Sequence, residues 1–113
     1  MDTLEIQHAT GFRPKTTILR LNGALTLATL FDFQDTLRKP GLEDTIIDLS
    51  EVPYMDSAGL GAILSHWAHT QRNKFHFAVA GPNDRVKSVF DMTKVTSVLP
   101  IFVSAEEAEQ SFA

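Results

Sequence analysis

Thr45-Ile46-Ile47-Asp48-Leu49-Ser50-Glu51-Val52-Pro53-Tyr54-Met55-Asp56-Ser57-Ala58-Gly59-Leu60-Gly61 is the stretch that decides the architecture of this chain. Residues 45–49 form a short apolar run with β-branched side chains, the pattern of a buried strand. Pro53 has no N–H to give to a ladder and stops it. Asp56 and Ser57 are good N-cap residues placed just before a helical pattern. Leu60, Ile63, Leu64, Trp67, Ala68 and Gln71 recur at helical spacing, and all but the last are apolar. They predict one face of an amphipathic helix, with Trp67 in the core. Ser57 is thereby held at a strand-to-helix turn, at the positive end of a helix dipole. Gly59 and Gly61 each weaken a helix by about 1 kcal/mol relative to alanine. Two such glycines so close together imply either tight helix-on-sheet packing or the close approach of a partner backbone.

Outward from this stretch, the pattern keeps alternating. Leu4, Ile6 and His8 alternate with Glu5 and Gln7 as a half-buried strand, and Gly11-Phe12-Arg13-Pro14 reads as a turn. A second strand follows, with Thr17, Leu19 and Leu21 on one face and Ile18 and Arg20 on the other; Asn22-Gly23 ends it. The short connection predicts an antiparallel pair. Leu27, Leu30, Phe33 and Leu37 share a helical stripe that Pro40-Gly41 closes. Phe31 lies about 100° from Leu30 on that helix. It either widens the buried stripe or stands exposed as a partner contact. Residues 75–80 form a further apolar strand, and Asn83 can cap a helix presenting Val86, Val89, Phe90 and Thr93 on one face. A turn through Val95, Val98 and Leu99 leads to a last strand at Ile101-Phe102-Val103. Ser104 and Glu107 fit a capping box for a closing helix with Ala105, Ala108 and Phe112 inward. Strands and helices that alternate from residue 44 onward imply parallel strands joined by crossovers. The expected fold is α/β: a mixed sheet of about five strands, with four or five helices packed on it, as one domain over residues 1–113.

Composition narrows the function. A 113-residue chain can bury a core without staples. It contains no cysteine, which excludes disulfides and thiolate metal sites and fits a reducing cytoplasm. Met1–Glu5 are acidic and have no apolar h-region, so no signal peptide is expected. No apolar run approaches the ~20 residues of a membrane helix. A net charge of −4 disfavours nucleic acid as a partner. His66 and His69 are three residues apart, but no acidic or thiol neighbour completes a metal set, so they are read as the polar face of their helix. No cofactor is expected.

Ser57 itself admits three readings. As a cap it contributes about 1 kcal/mol. As a nucleophile it needs a base within hydrogen-bond reach; the flanking pattern is not Gly-x-Ser-x-Gly, and His66 and His69 lie too far along the same helix. No enzymatic activity is therefore expected. As a phosphorylation site it would acquire about −1.5 to −2 charges. At a helix start that charge is tolerated within the chain, with a gain of roughly 0.3–2 kcal/mol. For a partner packed over the turn, an unpaired buried charge costs roughly 3–5 kcal/mol. Phosphorylation would thus release a partner without unfolding the domain. Asp56 is read as a second cap or as a group that orients the serine or meets a kinase's nucleotide site.

The run Tyr54-Met55-Asp56-Ser57-Ala58-Gly59-Leu60-Gly61 resembles the signature of STAS domains, and within them of anti-sigma factor antagonists. The resemblance extends over nearly the whole chain and implies the α/β architecture already expected. It also implies that Ser57 is phosphorylated by a partner anti-sigma factor that is itself a serine kinase. Binding of that kinase would free a sigma factor, phosphorylation would switch the protein off, and a PP2C-type phosphatase would reset it. The expected partner-contact residues are Asp56, Ser57, Ala58, Gly59 and Gly61, together with Thr26 and Phe31. The resemblance also leaves open a STAS subunit of a lipid or anion transport complex, docking its partner without phosphate. Two positions depart from the family pattern. Gly23-Ala24-Leu25-Thr26 stands where the family usually has Gly-x-Leu-Asp, whose aspartate lies near the serine and helps the kinase reaction. Lys94 stands where the family often has glycine, so either it adopts a strained conformation or its helix ends differently.

Overall fold

The computed structural model describes residues 3–112. The apolar run at its centre is β3 (Asp44–Glu51), the middle strand of a five-stranded sheet. On one side lie β2 (Thr16–Asn22) and, antiparallel to it at the edge, β1 (Glu5–Thr10). On the other lie β4 (Phe77–Ala80) and β5 (Ile101–Phe102), and strands two to five run parallel. Register explains the two faces. Leu19, Ile47 and Val79 are paired across three strands and point into one core, whereas Ile18, Ile46 and Ala78 point into the other.

The first face is covered by α1 (Leu30–Leu37), α2 (Ser57–Arg72) and α3 (Asp84–Met92). Phe33 and Phe90 are fully buried there, each contributing about 1.5–3 kcal/mol of apolar transfer. The second face carries only the short α4 (Ala105–Gln110), which places Ala108 over Ala78 and Ala80 with Phe112 beside them. Small residues on β4 are what let a two-turn helix close this face. Of the expected capping box, the serine half is present: Ser104 accepts the Glu107 N–H at 3.2 Å. Asn83 likewise caps α3 by accepting the Val86 N–H at 2.8 Å. Lys94 takes the left-handed conformation, φ 60°, at a cost of about 1–2 kcal/mol that a glycine would avoid.

Several sequence expectations are corrected. Leu27 does not join the stripe of α1; the helix starts at Leu30, and Leu27 is 64% exposed. The turn before the helix is fixed instead by Thr29, whose hydroxyl donates to the Ala24 carbonyl and accepts the Thr26 N–H. β4 begins at Phe77, not Phe75, because Phe75 N–H still returns to the Thr70 carbonyl of α2 and Lys74 takes a positive φ. Val103 lies beyond β5 and is exposed. On α2 the buried face is rotated from the apolar stripe: His66 and Thr70 are buried, and Trp67 is only half-buried against the core. His66 therefore does not belong to the polar face. Its Nε2 lies 3.3 Å from the Thr45 hydroxyl, whose own proton goes to the Glu43 carbonyl. That leaves His66 as the donor, satisfied within the core.

Glu109, which no sequence pattern marks, is also buried. Its carboxylate accepts the N–H groups of Phe12 and Arg13 at 3.2 and 2.8 Å, binding α4 to the β1–β2 turn. A Cβ on Gly11 would run into that carboxylate, so a side chain there would have to push the Glu109 clasp aside.

Candidate functional site

The end of β3 and the start of α2 are stitched to the loop that leaves β2. Gly23 N–H donates to the Glu51 carbonyl, Leu25 N–H to that of Tyr54, and Asp56 N–H to that of Leu25, all at 3.1–3.2 Å. Leu25 and Met55 form a parallel bridge between the two segments. Asp56 sits at the junction with extended backbone, φ −101° and ψ −177°. One carboxylate oxygen caps α2 by accepting the Gly59 N–H at 3.0 Å, and the other accepts the Leu27 N–H at 3.0 Å. Partial desolvation pushes this carboxyl up, but the N–H donors of Gly59, Leu27 and Ala58 outweigh it and hold Asp56 below the usual carboxylate range. The cap is thus Asp56. Ser57 is the first residue of the helix and is exposed, with no share in capping.

Around Ser57 the structure gathers most of the residues singled out in the sequence. Thr26 is half-buried, and its hydroxyl accepts the Ala28 N–H at 3.2 Å, so it braces the loop that meets Asp56. Ala58 is half-buried. The two glycines separate. A Cβ on Gly59 would stand 2.5 Å from the Leu25 carbonyl oxygen, so its bareness is explained within the molecule. Gly61 faces open space. Phe31 is 71% exposed on the first turn of α1, so it does not widen the buried stripe. Leu27 adds a second exposed apolar side chain to this region.

Sequence reading missed the far rim. Asn83 donates from Nδ2 to the Val52 and Pro53 carbonyls at 3.2 Å, while its Oδ1 caps α3. Arg85 places its guanidinium 5.2 Å from the centre of the Tyr54 ring. A cap signal marked Asn83, but its second role and the Arg85–Tyr54 contact depend on tertiary placement. Three of the four histidines are engaged elsewhere: His66 with Thr45, His69 with Asn73, and His76 with Asp44. Among the described residues no group of three or more His, Cys, Asp or Glu could hold a metal ion, and no helix is long and apolar enough to cross a membrane.

The STAS domain model matches residues 4–108. This chain belongs to the STAS domain family. Within that family it is similar to the anti-sigma-B factor antagonist of Staphylococcus epidermidis, 26% identical over 86 residues that span 74% of this chain and 80% of the relative. Its fold matches the anti-sigma factor antagonist SpoIIAA, solved in an unphosphorylated form (TM-score 0.78, 18% identity, 96% of each chain). The phosphorylated form of SpoIIAA also matches, with TM-score 0.74 and 17% identity over 96% of this chain and all of that one. The STAS fold of this chain also matches part of the murine anion transporter Slc26a9, with TM-score 0.73 and 12% identity over 97% of this chain and 22% of the transporter.

Proposed function

We propose that this STAS domain is an anti-sigma factor antagonist, in which phosphorylation of Ser57 ejects an anti-sigma factor that is also its serine kinase. The observation that carries this reading is the exposed Ser57 at the first position of a 16-residue helix whose cap is already supplied by Asp56. The hydroxyl is therefore not needed for the fold, and a phosphate there meets the positive end of the helix. Leu27, Phe31 and Gly61 supply exposed apolar surface and open space for a docking partner near the same turn. A phosphate at its centre imposes on the partner a desolvation cost of roughly 3–5 kcal/mol, or a loss of affinity of about 10²–10³-fold or larger. A PP2C-type phosphatase is the enzyme class that would restore binding.

A second reading is favoured by Thr26. It presents a neutral hydroxyl, turned onto its own loop, where a kinase-assisting aspartate is expected. On that reading the same surface docks a transporter partner in a lipid or anion transport complex, with no phosphate involved.

Intact mass after incubation with the candidate kinase and ATP separates the two. A gain of about 80 Da, one phosphate, in wild type but not in Ser57→Ala supports the switch. An unchanged mass, with kinase binding that Ser57→Asp leaves intact, rejects it in favour of docking alone.

A further inference from the structure

A cavity of about 460 Å3 lies between the C-terminal halves of α1 and α2. Its α2 wall, Ser65 to Arg72, stands roughly 12–22 Å of helix rise beyond Ser57. Arg38 and Lys39 enter it from the end of α1, and Arg72 and His69 from the end of α2. Leu37 and Leu42 give it apolar wall. Among the described residues no aspartate or glutamate lines it, although the chain as a whole carries a net charge of −4.

Cations near helix C-termini commonly offset the helix dipole, and a single Lys or Arg on each helix would do so. Here three permanent charges border one concavity, Arg38 and Lys39 just past the end of α1 and Arg72 in the last turn of α2. Among the described residues the ion pairs join Lys15 to Glu43 and Arg20 to Asp48, His76 hydrogen-bonds Asp44, and none of these engages Arg38, Lys39 or Arg72. The volume lies in the range of small-molecule sites, about 300–1,000 Å3.

We propose that this cavity binds a small phosphorylated organic molecule. Guanidinium forks match phosphate oxygens in pairs, and an ammonium adds a point charge. The leucines offer the carbon skeleton a surface that water would leave. This site shares no residue with the Ser57 turn, and its occupancy does not depend on phosphorylation of the chain.

The test is a 1H–15N titration of the full chain at constant ionic strength. The probes are glucose 6-phosphate, unphosphorylated glucose and citrate. Glucose 6-phosphate should produce saturable amide shifts confined to residues 37–42 and 65–72, with a Kd at or below about 1 mM. The double variant Arg38→Gln, Arg72→Gln should bind at least about tenfold more weakly, about 1.4 kcal/mol, and Lys87→Gln on α3 should bind as wild type. The proposal is overturned by no saturation up to about 10 mM, by equal binding of citrate or glucose, or by equal binding in the double variant. Because the wild-type shift map locates the site by itself, poor folding of the double variant would not shield the proposal.

Discussion

Leu27 N–H donates to Asp56 Oδ2 at 3.0 Å, across 29 residues of chain, while the other oxygen of the same carboxylate caps α2. One side chain therefore sets both the start of the helix and the position of the loop beside Ser57. Asp56→Ala should lower stability by about 1–2 kcal/mol and speed hydrogen exchange at Leu27 and Gly59 together. Asp56→Asn keeps one acceptor and should recover the cap but not both bonds. Urea midpoints and amide exchange rates of the two variants check this. Equal protection of the Leu27 amide in wild type and Asp56→Ala would refute the latch.

Because Ser57 is not the cap, a charge placed on it should leave the fold alone. Ser57→Asp should melt within a few degrees of wild type, in keeping with the ±0.5 kcal/mol typical of surface changes, yet bind the cognate kinase at least about 100-fold more weakly. Thermal melting and calorimetric titration measure the two effects separately.

Gly59 and Gly61 should respond in opposite directions. Gly59→Ala forces a Cβ to 2.5 Å from the Leu25 carbonyl oxygen and should cost about 1–3 kcal/mol through strain. Gly61→Ala meets nothing and should gain up to about 1 kcal/mol of helix propensity. If a partner backbone approaches Gly61, the second variant will be more stable and a poorer binder. Paired denaturation and binding measurements read both.

Phe31, exposed on α1, should be dispensable for folding and important for docking. Phe31→Ser should leave the thermal midpoint within about 2 °C, a change of under 1 kcal/mol, while weakening the partner complex at least about tenfold, as truncation of an aromatic anchor does. A loss of stability without a loss of binding would reverse this assignment.

His66 gives the fold a pH dependence. Burial, with a smaller contribution from the nearby His69, lowers its pKa from 6.5 to about 4. The unfolded chain therefore binds a proton below pH 6.5 that the folded chain refuses until pH falls to about 4. Stability from this group is complete above pH 6.5 and declines through that window, by roughly 2–3 kcal/mol. His66→Phe should remove the part of the decline between pH 6.5 and 5, where carboxylates contribute little. Urea denaturation at pH 5 and pH 7 tests it.

The sheet was legible because its strands alternate with amphipathic helices, and each run is bounded by Pro, Gly or a cap. The Ser57 turn was legible for the same reason: Pro53, Asp56 and the apolar positions after it form a local code. What escaped the sequence depended on partners distant along the chain. His66 looks polar on a helical wheel, and only the Thr45 hydroxyl on β3 makes its burial affordable. Leu27 looks like helix core, but the Asp56 carboxylate holds its N–H in a turn. Arg85 finds Tyr54 only once α3 is in place.

The Glu109 carboxylate that anchors the Phe12–Arg13 turn sets an order of events during synthesis. The β1–β2 hairpin leaves the ribosome well before α4, yet the two amides at its tip gain their acceptor only when residue 109 has been made. Nascent chains must therefore carry an unfinished corner until α4 is translated, and a premature stop just before α4 would leave the five strands of the sheet with no clasp.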